Sequence, residues 1–258
     1  MAETEILEVL PPWVRRPTSE RLEVKYATGL SLLGLTSGLV SVDSLIGGLK
    51  PDTIALLTGS GIRLQAAEGY CIRAQLSEGE GGFKGGAFFI DAGNSFDVYL
   101  FTALARKYHL DYDSALNQQL LSRAFTIYEL RSLMEDSETA FAVRKPKLLI
   151  VSEVFSLFTD DIDRYEARRV FRNIASSVSE ISKREGVPIL LTSATRHELI
   201  TPLLEERCTV SADIVQEDRC IRSRLFKHPW KAPGETIRET SPQSYNQDTL
   251  QTEVRPHG

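Results

Sequence analysis

The chain has 258 residues, 42% hydrophobic and 25% charged, a composition ordinary for a globular protein, long enough to bury one large core and excluding disorder throughout. Its formal net charge of −5 excludes a wholly basic protein that coats nucleic acid, so any DNA contact has to come from a local basic patch. The three cysteines, Cys71, Cys208 and Cys220, form neither a CxxC pair nor a metal-ligand cluster, and an odd number excludes a fully paired disulfide framework.

A reducing cytoplasm fits that cysteine usage. No run approaches about 18 apolar residues, and the acidic start Met1-Ala2-Glu3-Thr4-Glu5 has the wrong charge for a signal peptide, so the expectation is a soluble, cytoplasmic chain without a membrane partner.

Residues 1–35, with Pro11-Pro12, Trp13 and Arg15-Arg16-Pro17, read as an extension in which Trp13 is a packing anchor. Regular patterning starts at Thr36. Ile54 to Leu57 is a short apolar run, and Leu56-Leu57-Thr58-Gly59-Ser60-Gly61 has the form of a strand entering a loop, followed by a helix over Gln65 to Leu76. Ala87-Phe88-Phe89-Ile90 predicts a second strand and Asp97 to Tyr108 a helix. Leu148-Leu149-Ile150-Val151 and Pro188-Ile189-Leu190-Leu191 are continuous apolar runs suited to strands buried on both faces. Between them, from about Ile162 to Arg184, Phe171, Ile174, Val178 and Ile181 recur at helical spacing and make one apolar stripe. Strands alternating with helices predict an α/β fold with a mostly parallel central sheet and helices on both faces. Beyond Pro233 the sequence is rich in Pro, Gln, Ser and Thr without an apolar period, and residues 233–258 read as a disordered tail behind a 36–232 core.

The loop after the first strand carries the chief chemical clue. A phosphate-binding P-loop needs G-x-x-x-x-G-K-[ST], whose backbone amides cradle phosphates, whose lysine neutralises them and whose hydroxyl holds Mg²⁺. Counted from Gly59, the last three positions are Leu64, Gln65 and Ala66, so the close-approach glycine, the cation and the metal ligand are all replaced. A plain glycine-serine turn is the alternative reading of these residues.

The ordered segments resemble the ATPase core of RecA/RadA-type recombinases, and in particular the short archaeal RadA paralogues that lack a helix-hairpin-helix domain. Thr36-Ser37-Gly38 with Val42-Asp43-Ser44-Leu45-Ile46-Gly47-Gly48-Leu49 is similar to that family's lead-in to its P-loop strand. Phe89-Ile90-Asp91-Ala92-Gly93, Ala105 to Asp111, Ser122 to Thr126, Lys147 to Phe158 and Val187 to Ala194 are similar to later segments. The resemblance implies a RecA-like P-loop ATPase core.

It also implies where the catalytic groups should be. The Walker B aspartate falls on Ser152, the glutamate that activates water on Gly93, and the polar γ-phosphate sensor on Ala194. Glu153 lies one residue past the Walker B position and is expected to be mis-aimed if the strand continues that far. These losses imply a pseudo-ATPase with no required cofactor. Residual ATP binding would rest on Gly59, Ser60, Gly61, Arg63 and Gln65, with Arg63 otherwise an ordinary surface arginine.

In the same family the loops after the third and fourth core strands face DNA. Here they carry Arg164, Arg168 and Arg169, with Arg172 one turn later, and Arg196, His197 and Arg207; the acids Asp160, Asp161, Asp163, Glu198, Glu205 and Glu206 are interspersed. The arginines suit single-stranded DNA phosphates, and a solvated helix face and ordinary loop is the alternative. His109 and His228 have no carboxylate or cysteine at ligand spacing, and Trp230 is expected to anchor the end of the core sheet.

The implied function is that of a non-catalytic accessory subunit in homologous recombination or DNA repair. Its partners would be a RadA-type recombinase or another RadA paralogue, in a homo- or hetero-oligomer, with single-stranded DNA as a further ligand. A KaiC-like signalling regulator without DNA binding, and a divergent ATPase completed by a neighbouring subunit, are the alternatives.

Overall fold

The computed structural model describes residues 34–159, 162–217 and 220–239. The expectations for the extension before residue 34, for Asp160 and Asp161 and for residues 240–258 lie outside them. Among the described residues the elements are α1 (Val40–Ile46), β1 (Ile54–Gly59), α2 (Ile62–Ala74), β2 (Ala87–Asp91), α3 (Val98–Lys107), α4 (Tyr112–Asn117), β3 (Leu120–Arg123), α5 (Ile127–Glu135), α6 (Ser137–Arg144), β4 (Leu148–Ser152), α7 (Arg164–Glu185), β5 (Ile189–Ser193), α8 (Thr201–Glu205), β6 (Val210–Glu217), β7 (Cys220–Lys227) and β8 (Gly234–Glu239).

Eight strands form one sheet in the order β3-β2-β4-β5-β1-β6-β7-β8. The pairs from β3 to β6 are parallel, and β7 and β8 add antiparallel strands at one edge. This is the mostly parallel α/β sheet of a RecA-like core.

The sheet separates two apolar layers because alternate strand residues face opposite ways. Ala55, Leu57, Phe89 and Ile150 pack with α1, α2 and α3 on one side. Leu56, Phe88, Ile90, Leu149 and Val151 pack with α5 and α7 on the other. On α7, Val170, Phe171, Ile174, Val178 and Ile181 are all buried, and each such side chain contributes roughly 1.5–3 kcal/mol through removal from water. Asp163 caps the helix by accepting from the amides of Tyr165 and Glu166, and Gly186 closes it in the left-handed conformation.

Several expectations change. Helix α2 starts at Ile62 rather than Gln65, so the loop after β1 shrinks to a tight turn. Arg164, Arg168 and Arg169 stand on the first turns of α7 rather than in a loop. Part of the expected tail is ordered: Gly234–Glu239 is β8, pairing with β7 from Leu225↔Gly234 to Cys220↔Glu239. Backbone hydrogen bonds hold this strand without an apolar period, since all six of its residues are exposed. Trp230 is 64% exposed, with the Lys50 ammonium 4.7 Å from its ring centre; anchoring contacts come from His228, whose Nε2 lies 3.0 Å from the Ile46 carbonyl, and from Lys231, whose Nζ donates to the Ser44 carbonyl at 2.6 Å.

Candidate phosphate-loop site

The carboxyl ends of β1, β5, β4 and β2 lie side by side, and an open α/β sheet binds its ligands outside those ends. Every sequence position expected to hold a nucleotide is there: Gly59 to Gln65 after β1, Gly93 after β2, Ser152 and Glu153 at the end of β4, and Ala194 after β5.

The turn after β1 is drawn onto the neighbouring strand. Gly59 has φ 113°, and a Cβ there would lie 2.1 Å from the Ile214 carbonyl oxygen, so only glycine fits. The Ser60 amide donates to the Ile214 carbonyl at 2.8 Å, and the Ser60 hydroxyl accepts from the Gln216 amide at 3.0 Å. At the start of α2, the Arg63 amide bonds the Ser60 carbonyl, and the amides of Leu64 and Gln65 bond the Gly61 carbonyl. Four amides of this turn, those of Ser60, Arg63, Leu64 and Gln65, are therefore used inside the chain. Gln65 is half-buried, its Oε1 without a hydrogen-bond partner among the described residues.

Arg63 is 7% exposed and is not a surface residue. Its Nε and Nη2 reach Glu153 Oε1 at 2.8 and 2.7 Å, and its Nη1 donates to the Gly59 carbonyl at 2.7 Å. Alternation along β4 would aim Glu153 away from Arg63, but the strand ends at Ser152 and Glu153 turns to φ 57°. That left-handed turn redirects the carboxylate across the mouth of the sheet. Its Oε2 accepts the Ala194 amide at 3.1 Å, and its own amide donates to Thr192 Oγ1 at 3.2 Å.

Gly93 makes room for this arrangement. A Cβ on Gly93 would lie 2.4 Å from Glu153 Cβ and 2.5 Å from its Cγ. Ser152 joins a run of hydroxyls, with its Oγ 2.7 Å from Ser95 Oγ and 3.2 Å from Thr192 Oγ1. Ser95 also bonds the fully buried Asp91, whose carboxylate accepts the Ser95 amide at 2.8 Å and the Gly93 amide at 3.3 Å.

These residues do not fit a magnesium nucleotide. The one cation at the turn is already paired, the position of the metal-binding hydroxyl is the buried Ala66, and the amides of Ser60, Arg63, Leu64 and Gln65 are bonded within the chain. Among the described residues no group of three or more His, Cys, Asp or Glu is placed to hold a metal ion.

The five arginines read as DNA contacts do not share one surface. Arg164 and Arg168 are exposed on one face of α7, with Arg172 continuing the row, at about 6 Å per step along the axis. None of these three has an ion-pair partner among the described residues, whereas Arg169 lies 3.8 Å from Glu166. Arg164 borders a cleft of about 560 Å³ with Phe158, Ile162 and His197, where the Phe158 and His197 rings meet edge to face at 4.5 Å.

Arg196 turns inward instead. It pairs with Glu205, donates to Ser211 Oγ at 3.3 Å, and lies with its guanidinium carbon 3.9 Å from the Phe226 ring centre. Arg207 is exposed but sits beside Thr209, whose amide bonds the Ile54 carbonyl where β1 begins; that is the opposite end of the sheet from Arg164.

The described residues contain no helix long and apolar enough to cross a membrane. Cys71 and Cys208 are buried free thiols and Cys220 is half-buried. Sequence reading missed the Arg63–Glu153 pair; its signal was a cation inside the loop motif together with an acid one residue beyond the expected strand end.

Comparison with known proteins agrees with the fold. A family model described as Rad51 matches residues 29–197. The human "Meiotic recombination protein DMC1/LIM15 homolog" is 27% identical over 170 residues, which are 62% of this chain and 49% of that protein. The "DNA repair protein RAD51 homolog" of Solanum lycopersicum is 26% identical over 180 residues, 65% of this chain and 51% of that protein. The "DNA repair protein RAD51" of Saccharomyces cerevisiae is 24% identical over 170 residues, 63% and 42% respectively. The chain spans about half the length of the curated relatives it matches.

Proposed function

Because the chain belongs to the Rad51 family, we propose that it serves homologous recombination or DNA repair as a non-catalytic paralogue. Relatives named for meiotic recombination and DNA repair support the process. The observation that carries the non-catalytic role is the buried Arg63–Glu153 pair, at 2.7 Å, across the strand ends where phosphate and metal would have to enter. A protein of this kind acts by contact: it binds a catalytically intact RadA-type recombinase or another RadA paralogue, and it changes that partner's ATPase or filament growth. The row Arg164, Arg168 and Arg172 supplies phosphate contacts to single-stranded DNA that need no base reading.

The test is titration of this protein against a RadA-type recombinase on single-stranded DNA, following ATPase, filament length and strand exchange together. Association with an altered rate is expected, and the chain alone should show no Mg²⁺-dependent ATP turnover. No association at several-fold excess of folded protein would refute the accessory role and favour a KaiC-like signalling regulator.

One observation favours a second reading, that of a divergent ATPase completed by a neighbouring subunit: Glu153 brings a carboxylate to the end of β4. Mg²⁺-dependent turnover in the assembled complex, lost on Glu153→Gln, would establish that reading.

A further inference from the structure

We infer that the Glu153 carboxylate is a built-in substitute for a nucleotide phosphate, an anion belonging to the chain that ties together the strand ends a bound ligand would otherwise tie. The inference rests on the non-catalytic reading above and extends it from what the site has lost to what occupies it.

The carboxylate has the contacts expected of a bound oxyanion. On one side it takes two donors of the Arg63 guanidinium, at the start of the helix after β1, at 2.8 and 2.7 Å. On the other it takes a backbone amide, Ala194 N, just past β5 at 3.1 Å. Two guanidinium N–H groups converge on one carboxylate oxygen and a backbone N–H meets the other, and charge-assisted arginine donors with a backbone amide are a donor set that also suits a phosphate. The same guanidinium holds the Gly59 carbonyl at 2.7 Å, so the carboxylate links the β1 turn, the end of β4 and the end of β5.

The substitutions around it form one feature. Gly93 is required because any side chain would collide with Glu153, at 2.4 Å. The left-handed backbone at Glu153, φ 57°, is the turn that carries the carboxylate off the strand's alternation. Ala194 contributes its amide rather than a side chain. With the anion supplied internally, the end of the sheet holds one arrangement whether or not nucleotide is present.

The experiment is anion rescue in the full chain. Glu153→Ala should lower the thermal midpoint by roughly 10 °C, as expected for one partner of a buried pair. Inorganic phosphate, at ionic strength matched with chloride, should restore it saturably by occupying the vacated place beside Arg63 and the Ala194 amide. The unmodified chain should show no such response, and neither should Arg63→Met combined with Glu153→Ala.

Equal phosphate responses in the unmodified chain and in Glu153→Ala, or rescue that survives loss of Arg63, would overturn the inference. Should Glu153→Ala be insoluble, refolding from denaturant gives the same decision: recovery in phosphate but not in chloride supports it, and failure in both overturns it. ATP turnover measured on the same samples keeps the two claims apart. Mg²⁺-dependent turnover by the unmodified chain refutes the non-catalytic reading, whereas absent rescue without turnover refutes only the internal anion.

Discussion

Glu68 should make the protein less stable as pH rises through neutrality, and Glu68→Gln should remove that dependence. The side chain lies on α2 and is 1% exposed. Its Oε1 accepts the Asp97 amide at 2.6 Å, and its Oε2 has no partner among the described residues. Burial, reinforced by the nearby Asp97 and Asp91 carboxylates and opposed by that one hydrogen bond, pushes its pKa from 4.5 up to about 8.

The folded protein therefore binds a proton that the unfolded chain releases between those values. The stabilisation is fully present below 4.5 and is lost as pH rises through about 8. At about 1.4 kcal/mol per pH unit, the whole interval corresponds to on the order of 5 kcal/mol, and the part between about pH 6.5 and 8.5 to roughly 2 kcal/mol. Asp43, pushed by burial to about 6, contributes a dependence of the same sign at lower pH, so the higher window isolates Glu68.

Urea unfolding of the full chain and of Glu68→Gln at several pH values across that window measures the difference. The unmodified protein should lose roughly 2 kcal/mol relative to the variant from about pH 6.5 to 8.5. Parallel stability curves for the two proteins would refute the reasoning, since a carboxyl already ionised in the fold carries no such linkage.

Four further outcomes follow from the contacts. Gly93→Ala should lower the unfolding midpoint sharply in the unmodified chain and much less in the Glu153→Ala background, a coupling that a double-mutant cycle by thermal melts measures. Arg164→Ala with Arg168→Ala should reduce the slope of log affinity for single-stranded DNA against log salt by roughly 0.7 per lost contact. Arg196→Ala should instead destabilise the fold by about 1–3 kcal/mol, because it leaves Glu205 without its arginine and removes the stack on Phe226; chemical denaturation and a salt titration of DNA binding separate the two effects. Ending the chain after Pro233 rather than after Glu239 should lower the midpoint by a few degrees and promote self-association in sedimentation, because β7 then becomes an unpaired edge.

Local pattern alone carried much of the architecture. Ile54 to Leu57, Ala87 to Ile90, Leu148 to Val151 and Ile189 to Leu191 are apolar without interruption, which a strand buried on both faces requires. The stripe from Val170 to Ile181 could serve only as one face of a helix. The half-buried β7 was legible in principle, since Ile221, Ser223 and Leu225 alternate with exposed arginines, but short alternation beside charged residues is a weak signal. That Gln65 and Ala66 stand where a phosphate loop has a lysine and a hydroxyl could also be read directly, since comparing residues with a motif needs no third dimension.

What replaced that chemistry depended on contacts between residues far apart in the chain. Whether Glu153 points away from the site or into it turns on where β4 stops, and the paired strands and the left-handed turn decide that. Arg63 and Glu153 are 90 positions apart, and only the parallel order β4-β5-β1 brings them together while a glycine after β2 leaves the space. Arg196 belongs to Glu205 and Phe226 for the same reason, because the strands after it fold those groups back against it. A charged side chain's role depends on which opposite charge desolvates with it, and that is a property of packing rather than of neighbouring sequence.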